Sequence, residues 1–379
     1  MDDKPILALN AFDLGGSLDS SRQGARRAPP GLTVGGEYPP NVLAELEARV
    51  TGSLARWGLP PATSIRLLNV SENATFALGE PSGREWVLRV HRVGYSSAQE
   101  IRSELEWMQA LRRDGVTDTA AALTGIDGDP VQVLPPSAGA EGAPDRFAVA
   151  FERLPGREPD ARDAVHWFER LGESTARMHG HAKRWPLPAG FCRKRWDFDA
   201  MVGPQGFWGS WRAAIGLEPW GVAILERALD LIRARLESYG ASAEVFGLVH
   251  ADLRLANLLV DGTHLRIIDF DDCGFSWFLY DFAAAVSFIE HEPYVPQLLR
   301  AWVTGYRKER ALGADAIAEI PTFVVLRRVL LTAWLASHAE VPFARDMGAG
   351  YTRNTVALAQ GLLDGTFLRS EIEEGVRHV

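Results

Sequence analysis

The sequence predicts an α+β fold of two lobes, a small antiparallel sheet with one main helix followed by a larger, mainly helical lobe. Short β-rich runs separated by turn residues fill the stretch from Ser64 to Val90, the pattern of an antiparallel meander. One amphipathic helix follows them, and from Asp160 onward helical periodicity dominates, broken by a single polar hairpin.

In chain order, residues 1–38 mix Gly, Ser, Pro and Arg (SSRQGARRAPPG) without apolar periodicity and read as a mobile leader. Residues 39–153 are expected to form the N-terminal lobe. A helix is predicted over Asn41 to Trp57, then strands IRLLNV, ATFAL and WVLRV with SEN and PSG between them. Ser97 and Glu100 stand at capping-box spacing, and Ile101, Leu105, Met108 and Leu111 recur at helical intervals until Gly115 ends the helix. Glu104 falls inside that apolar stripe. After a Gly-, Ala- and Pro-rich loop over 124–145, FAVAFERLPG reads as a buried strand leaving one lobe for the other. Residues 154–379 are expected to form the helical lobe, in which LANLLV and HLRII flank the turn signal Asp261-Gly262.

Composition narrows the function. A chain of 379 residues with 46% hydrophobic and 23% charged residues has the make-up of a globular protein with a large core. Two cysteines, Cys192 and Cys273, are too few for a disulfide framework or a zinc site, so a reducing cytoplasm is expected. The acidic opening MDDKPILALN lacks the basic start and apolar run of a signal peptide. Arg327 and Arg328 interrupt the most apolar stretch, Ile320 to Ala336, which therefore reads as a buried helix and not a bilayer span. A formal net charge of -9 opposes nonspecific binding to nucleic acid, which rests on neutralising phosphates.

Chemistry concentrates between His250 and Asp272 (HADLRLANLLVDGTHLRIIDFDD). If the two runs pair around Asp261-Gly262, Asn257 on the first strand and Asp269 at the end of the second come roughly opposite each other. An amide oxygen and a carboxylate, completed by nucleotide phosphates, make the sparse, hard-ligand site that magnesium prefers. Asp252, five residues before Asn257, is placed to address a reacting hydroxyl.

His250-Ala251-Asp252 followed by Asn257, with Asp269-Phe270 after it, resembles the catalytic loop and metal-binding pair of kinases. With IDFDD and YDFA, it is most similar to the aminoglycoside phosphotransferase and choline kinase-like superfamily. SENATFAL, VLRVHR, EIRSELEWMQAL and ERLPGR look like the bacterial group of homoserine kinase type II and stress-response kinases. The resemblance implies a bilobal protein-kinase-like fold and transfer of the ATP γ-phosphoryl group, with Mg2+, to a hydroxyl of a small molecule. It implies Asp252 as base, Asn257 and Asp269 as metal ligands, and the stretch containing Phe151, Glu152 and Leu154 as the adenine hinge. It also places Arg89 where such kinases carry a nucleotide-pairing Lys, with Glu104 as its ion-pair partner.

Other residues carry two readings each. His250 packs beneath the loop or takes part in chemistry. Arg254 stabilises the transferring phosphoryl, as the phosphate-contacting Lys two residues after the base does in many protein kinases, or faces solvent. Asp271 and Asp272 extend the metal site or cap the next turn, and Asp281 reads as a helix N-cap that, by resemblance, braces the catalytic loop. No GxGxxG loop is present; Ser71 and Asn73 stand in that turn, where backbone amides and both side chains are suited to phosphate while Glu72 repels it. The Trp-dense segment Arg195 to Trp220 reads as core packing or as part of an acceptor site. Three other functions compete: a Ser/Thr protein kinase, a nucleotide-binding pseudokinase motivated by Arg89, and a two-metal phosphohydrolase using His250, Asp252, His264, Asp269, Asp271 and Asp272.

Overall fold

The structure is a computed structural model that describes residues 40–70, 73–140, 142–339 and 342–369; the leader predicted over 1–38 lies outside them. Helix α1 (Pro40–Ser53) runs into a 3-10 turn ending at Trp57, covering the helix expected there. Strands β1 (Ser64–Val70), β2 (Ala74–Gly79) and β3 (Glu85–Val90) form the predicted meander. Helix α2 (Ala98–Arg113) starts on a complete capping box: the Ser97 hydroxyl accepts from Glu100 N at 3.2 Å and the Glu100 carboxylate from Ser97 N at 2.8 Å. The loop expected over 124–145 contains a short strand, β4 (Gln132–Leu134), and β5 (Arg146–Glu152) completes a five-stranded sheet in the order β1-β2-β3-β5-β4. Strand β3 is therefore central.

Alternation along β5 divides the core. Ala148 and Ala150 face α1, with Leu46, Val50, Phe76 and Leu88. Val149 and Phe151 face α2 and join the same apolar cluster as the second lobe, where Trp107 of α2 meets Phe270 edge-on at 5.6 Å. The lobes thus share one core through α2, and the chain crosses between them at residues 153–160, stitched to the hairpin around Asp261-Gly262 by paired backbone bonds between Arg157 and Val260. Gly156, at φ +122, is needed there: a Cβ would meet the Val260 carbonyl oxygen at 3.0 Å.

The second lobe holds α3 (Ala164–Ala182), β6 (Lys194–Arg195), α4 (Phe198–Val202), α5 (Pro219–Tyr239), β7 (Phe246–Val249), β8 (Leu258–Asp261), β9 (His264–Ile267), β10 (Gly274–Trp277), α6 (Tyr280–Ala285), α7 (Val295–Glu309), α8 (Ala314–Ser337) and α9 (Pro342–Leu363), the last kinked at Gly348. Beyond the expected β8–β9 hairpin, a small sheet in the order β6-β10-β7 brackets the site; strands of two to four residues carry too little periodicity to be read in advance. Of the tryptophans in the Arg195 to Trp220 segment, Trp196, Trp208 and Trp211 are buried, in keeping with packing, and Trp220 is exposed. No helix among the described residues is long and apolar enough to cross a membrane.

Helices α3 and α7 cross at two glycines. A Cβ on Gly172 would lie 2.1 Å from the Trp302 carbonyl oxygen, and one on Gly305 would lie 1.8 Å from that of Glu169. Neither obstacle is a flexible side chain, so the helices have to separate to admit a methyl group. Gly305→Ala is expected to destabilise the protein by about 2–4 kcal/mol in urea unfolding, above the usual range for overpacking because backbone must move.

Candidate active site

The loop from His250 to Asn257 connects β7 to β8, and its backbone is held from below by one carboxylate. Asp281 Oδ1 accepts from Ala251 N at 2.7 Å, and Oδ2 accepts from His250 N at 3.2 Å and from His179 Nε2 at 2.9 Å. That contact makes Nε2 the protonated nitrogen of His179, whose Nδ1 then accepts from the Tyr306 hydroxyl at 3.0 Å. Asp281 is completely buried. The N-cap reading of Asp281 is corrected: α6 begins at Tyr280 behind Leu279, and the Asp281 carboxylate turns away from the helix to the loop amides. Those bonds hold Ala251 at φ +67, a left-handed conformation unusual for any residue with a Cβ.

His250 is also fully buried, with Nε2 3.1 Å from the Ile268 carbonyl oxygen and the Phe270 ring 4.4 Å away, which favours its packing role. Asn257 does not lie on the first strand as expected. It closes a 3-10 turn just before β8, because its N–H bonds back to the Arg254 carbonyl. The consequence is useful: its amide nitrogen donates to the Asp252 carboxylate at 2.7 Å and to the Asp252 carbonyl at 2.8 Å. With the nitrogen so committed, the amide oxygen is the donor left for a cation.

Asp252 is gripped by two guanidiniums. Arg254 Nε lies 3.1 Å from Oδ1, and Arg327, arriving from α8, donates to the same oxygen at 3.2 Å. Burial alone would raise the Asp252 pKa, but Arg254 and then Arg327 hold the carboxyl below its ordinary value. Arg327 was visible in the sequence only as an interruption of an apolar stretch, a charge that must find a partner.

Across the cleft, Arg89 on β3 pairs with the buried Glu104 of α2 and reaches Asp269 at 3.2 Å, with its guanidinium 5.2 Å from the Phe151 ring centre. Arg89 lies on the central strand and Glu104 is fully buried, so the pair implied by the resemblance forms away from solvent. Asp269 takes φ +62 and keeps half its side chain open to the cleft. Desolvation deep in the cleft, reinforced by Asp271, Asp252 and Glu104, pushes its carboxyl up to about 7 against the pull of Arg89. A cation beside Asp269 would relieve that repulsion, so the donor set suits a hard metal whose remaining ligands come from phosphate and water.

Asp271 points elsewhere, accepting from Asn73 Nδ2 at 2.8 Å with His91 3.7 Å away, and burial is outweighed by Arg89 and Lys194, which hold it well below the carboxylate range. Asn73 also accepts from Arg92 N at 3.1 Å, so its side chain is committed within the protein; Ser71 lies outside the described residues. Asp272 takes Tyr95 Oη at 2.8 Å and Lys194 Nζ at 3.0 Å. In the connector, Phe151 is buried, Leu154 half-buried and Glu152 exposed, with Glu152 N bonded to the Ala121 carbonyl at 2.8 Å. His264 stands exposed at the hairpin tip, and among the described residues no three His, Cys, Asp or Glu side chains gather to hold a metal, so the two-metal phosphohydrolase reading finds no ligand cluster.

One further residue had no signal in the sequence. Buried Arg193 binds the backbone of two distant segments, donating to the carbonyls of Cys273 at 2.7 Å and Asp271 at 2.5 Å and, on α2, to that of Glu100 at 2.9 Å.

The sequence matches the phosphotransferase enzyme family (APH) over residues 64–312, well over half of the chain. The chain belongs to that family. A solved structure of a microcompartment-associated aminopropanol kinase is 41% identical to this phosphotransferase, with a TM-score of 0.78, covering 84% of this chain and 98% of that one. The amicoumacin kinase of Bacillus subtilis (strain 168) is 26% identical over 320 residues, 79% of this chain and 89% of that protein. An amicoumacin kinase solved with AMP-PNP, Ca2+ and Ami shares the fold at TM-score 0.69 and 22% identity, over 85% of this chain and 96% of that one. The protein-kinase-like α+β fold is thereby established, and the chain is an enzyme that transfers phosphoryl groups to alcohols.

Two results are expected of the loop support. Asp281→Ala leaves the amides of His250 and Ala251 buried and unpaired and should cost about 2–4 kcal/mol in urea unfolding, with Asp281→Asn losing less because an amide oxygen can still accept. His179 is held below its ordinary pKa, chiefly by burial, against the opposing pull of Asp281. The unfolded chain therefore binds a proton below roughly pH 6.5 that the folded chain resists, so this contribution to stability is complete above that pH and is lost as pH falls. Urea midpoints measured from pH 7.5 to 5 should decline accordingly, and His179→Gln, less stable at pH 7.5, should show a shallower decline.

Proposed function

We propose that this phosphotransferase acts on a small amino alcohol, moving the γ-phosphoryl group of ATP to the acceptor hydroxyl. The observation that carries the reading is the convergence of Asp252 and Asn257, 2.7 Å apart, beside Asp269 and beneath Arg89 at the junction of the lobes. The acceptor class is supported by 41% identity to an aminopropanol kinase over nearly all of that protein's length.

Asn257 and Asp269 would hold the divalent metal, which supplies charge neutralisation to the nucleotide phosphates when bound. Arg89, kept in place by Glu104, adds a fixed positive charge near the phosphates, and the connector through Phe151, Glu152 and Leu154 receives the adenine. Asp252 aims the acceptor hydroxyl along the line of transfer. As the new O–P bond forms and the bond to the β-phosphate oxygen breaks, ADP departs with the bonding pair and the hydroxyl proton passes to Asp252. Because Arg254 and Arg327 depress its basicity, Asp252 contributes chiefly orientation and takes the proton late. A cytoplasmic location, where ATP is supplied and the unpaired Cys192 and Cys273 stay reduced, belongs to the same proposal.

ADP release measured over aminopropanol, ethanolamine, choline, homoserine and aminoglycosides tests the acceptor class. The highest kcat/KM is expected with a short amino alcohol; turnover confined to aminoglycosides contradicts it. Asp252→Ala should lower kcat by ~10²-fold or more while AMP-PNP binding persists.

A further inference from the structure

Both oxygens of Asp252 are already occupied. Oδ1 accepts from Arg254 Nε at 3.1 Å and Arg327 at 3.2 Å, and Oδ2 accepts from Asn257 Nδ2 at 2.7 Å and a second Arg254 nitrogen at 3.2 Å. A hydroxyl that this carboxylate is to aim has to replace one of these donors.

The donors are held with very different firmness. Asn257 is fixed by its second bond, to the Asp252 carbonyl oxygen at 2.8 Å. Arg327 sits in a socket: its Nε donates to Ser287 Oγ at 3.2 Å, another nitrogen donates to the Tyr280 hydroxyl at 2.8 Å, and the rings of Tyr280 and Trp208 lie 5.5 and 5.6 Å from its guanidinium carbon. Only 2% of its side chain is exposed, against 29% for Arg254. Arg254 has no such socket. Its hydrogen bonds among the described residues go to Asp252, and beyond them it rests 5.7 Å from the Phe288 ring centre.

We infer that Arg327 is a positioning residue, the fixed donor that aims Asp252, and that Arg254 is the exchangeable donor, which yields its place to the acceptor hydroxyl and turns to the transferring phosphate. The inference rests on Asp252 facing the acceptor. Exchange is favourable because Arg254 trades one charge-assisted contact for another of the same kind, on phosphate. During the exchange Asp252 would be left with Asn257 alone if Arg327 were absent, and a carboxylate with one neutral donor is free to rotate out of line. Misplacement on that scale lowers the rate of transfer without weakening nucleotide binding.

The test is a double-mutant cycle on the full chain, with ATP and aminopropanol as substrates. Arg327→Met should lower kcat by ~30-fold or more, with KM for ATP within about twofold of the parent, and Arg327→Lys should restore part of the loss. In an Asp252→Asn background the same Arg327→Met change should lower kcat by no more than about threefold, because its effect passes through Asp252. Arg254→Met should raise KM for ATP as well as lower kcat. An undiminished loss in the Asp252→Asn background overturns the inference, leaving Arg327 as a structural tie. Should Arg327→Met fail to fold, Tyr280→Phe removes one socket hydroxyl, and an unchanged kcat there overturns it equally. Full turnover in Asp252→Asn alone would instead remove the proposed role of Asp252 itself.

Discussion

The buried carboxylate of Asp281 is the contact on which the rest of the site depends. A charge in the interior is tolerable when its oxygens are saturated, and here two loop amides and an imidazole N–H do so. Those bonds hold Ala251 in a conformation that costs a residue with a Cβ ~1–2 kcal/mol. The reversal at Ala251 sends His250 down onto Phe270 and Asp252 up into the cleft. The geometry of the loop is thus fixed by a residue buried beneath it.

Charge balance is the second organising fact. Asp252, Asp269, Asp271, Asp272 and Glu104 crowd into one region, and Arg89, Arg193, Lys194, Arg254 and Arg327 compensate unevenly. Asp252 and Asp271 are paired so closely that they stay ionised. Asp269 is the under-compensated member, and its elevated carboxyl marks where positive charge is wanted. Such a neighbourhood suits the cation that would accompany a nucleotide, in keeping with the roles proposed for Asn257 and Asp269.

What the sequence disclosed was short-range. The capping box at Ser97 and Glu100, the turn at Asp261-Gly262 and the spacing of Asp252, Asn257 and Asp269 all lie within a few residues or one hairpin, where periodicity and turn chemistry act. The placement of Asn257 failed by one element because a 3-10 turn competes with strand extension at its start. Asp281, Arg193 and Arg327 act across 30 to 102 residues, and nothing local tells which backbone or carboxylate such a side chain will meet; the brace at Asp281 was legible by resemblance alone. The sequence did show that Arg327 and Arg328 sit in an apolar helix, and buried charge implies a partner. In the structure Arg328 takes Glu290, a structural pair, and Arg327 takes Asp252.

Arg193 bears on how the two lobes are joined. Its guanidinium clasps carbonyls on both α2 and the segment after Asp269, and Cys192 N adds a bond to Ser103 Oγ at 2.9 Å. Sliding α2 outward would break these contacts together and unseat Trp107 from Phe270. The helix is therefore tied to the floor of the cleft, so a displacement of one has to carry the other.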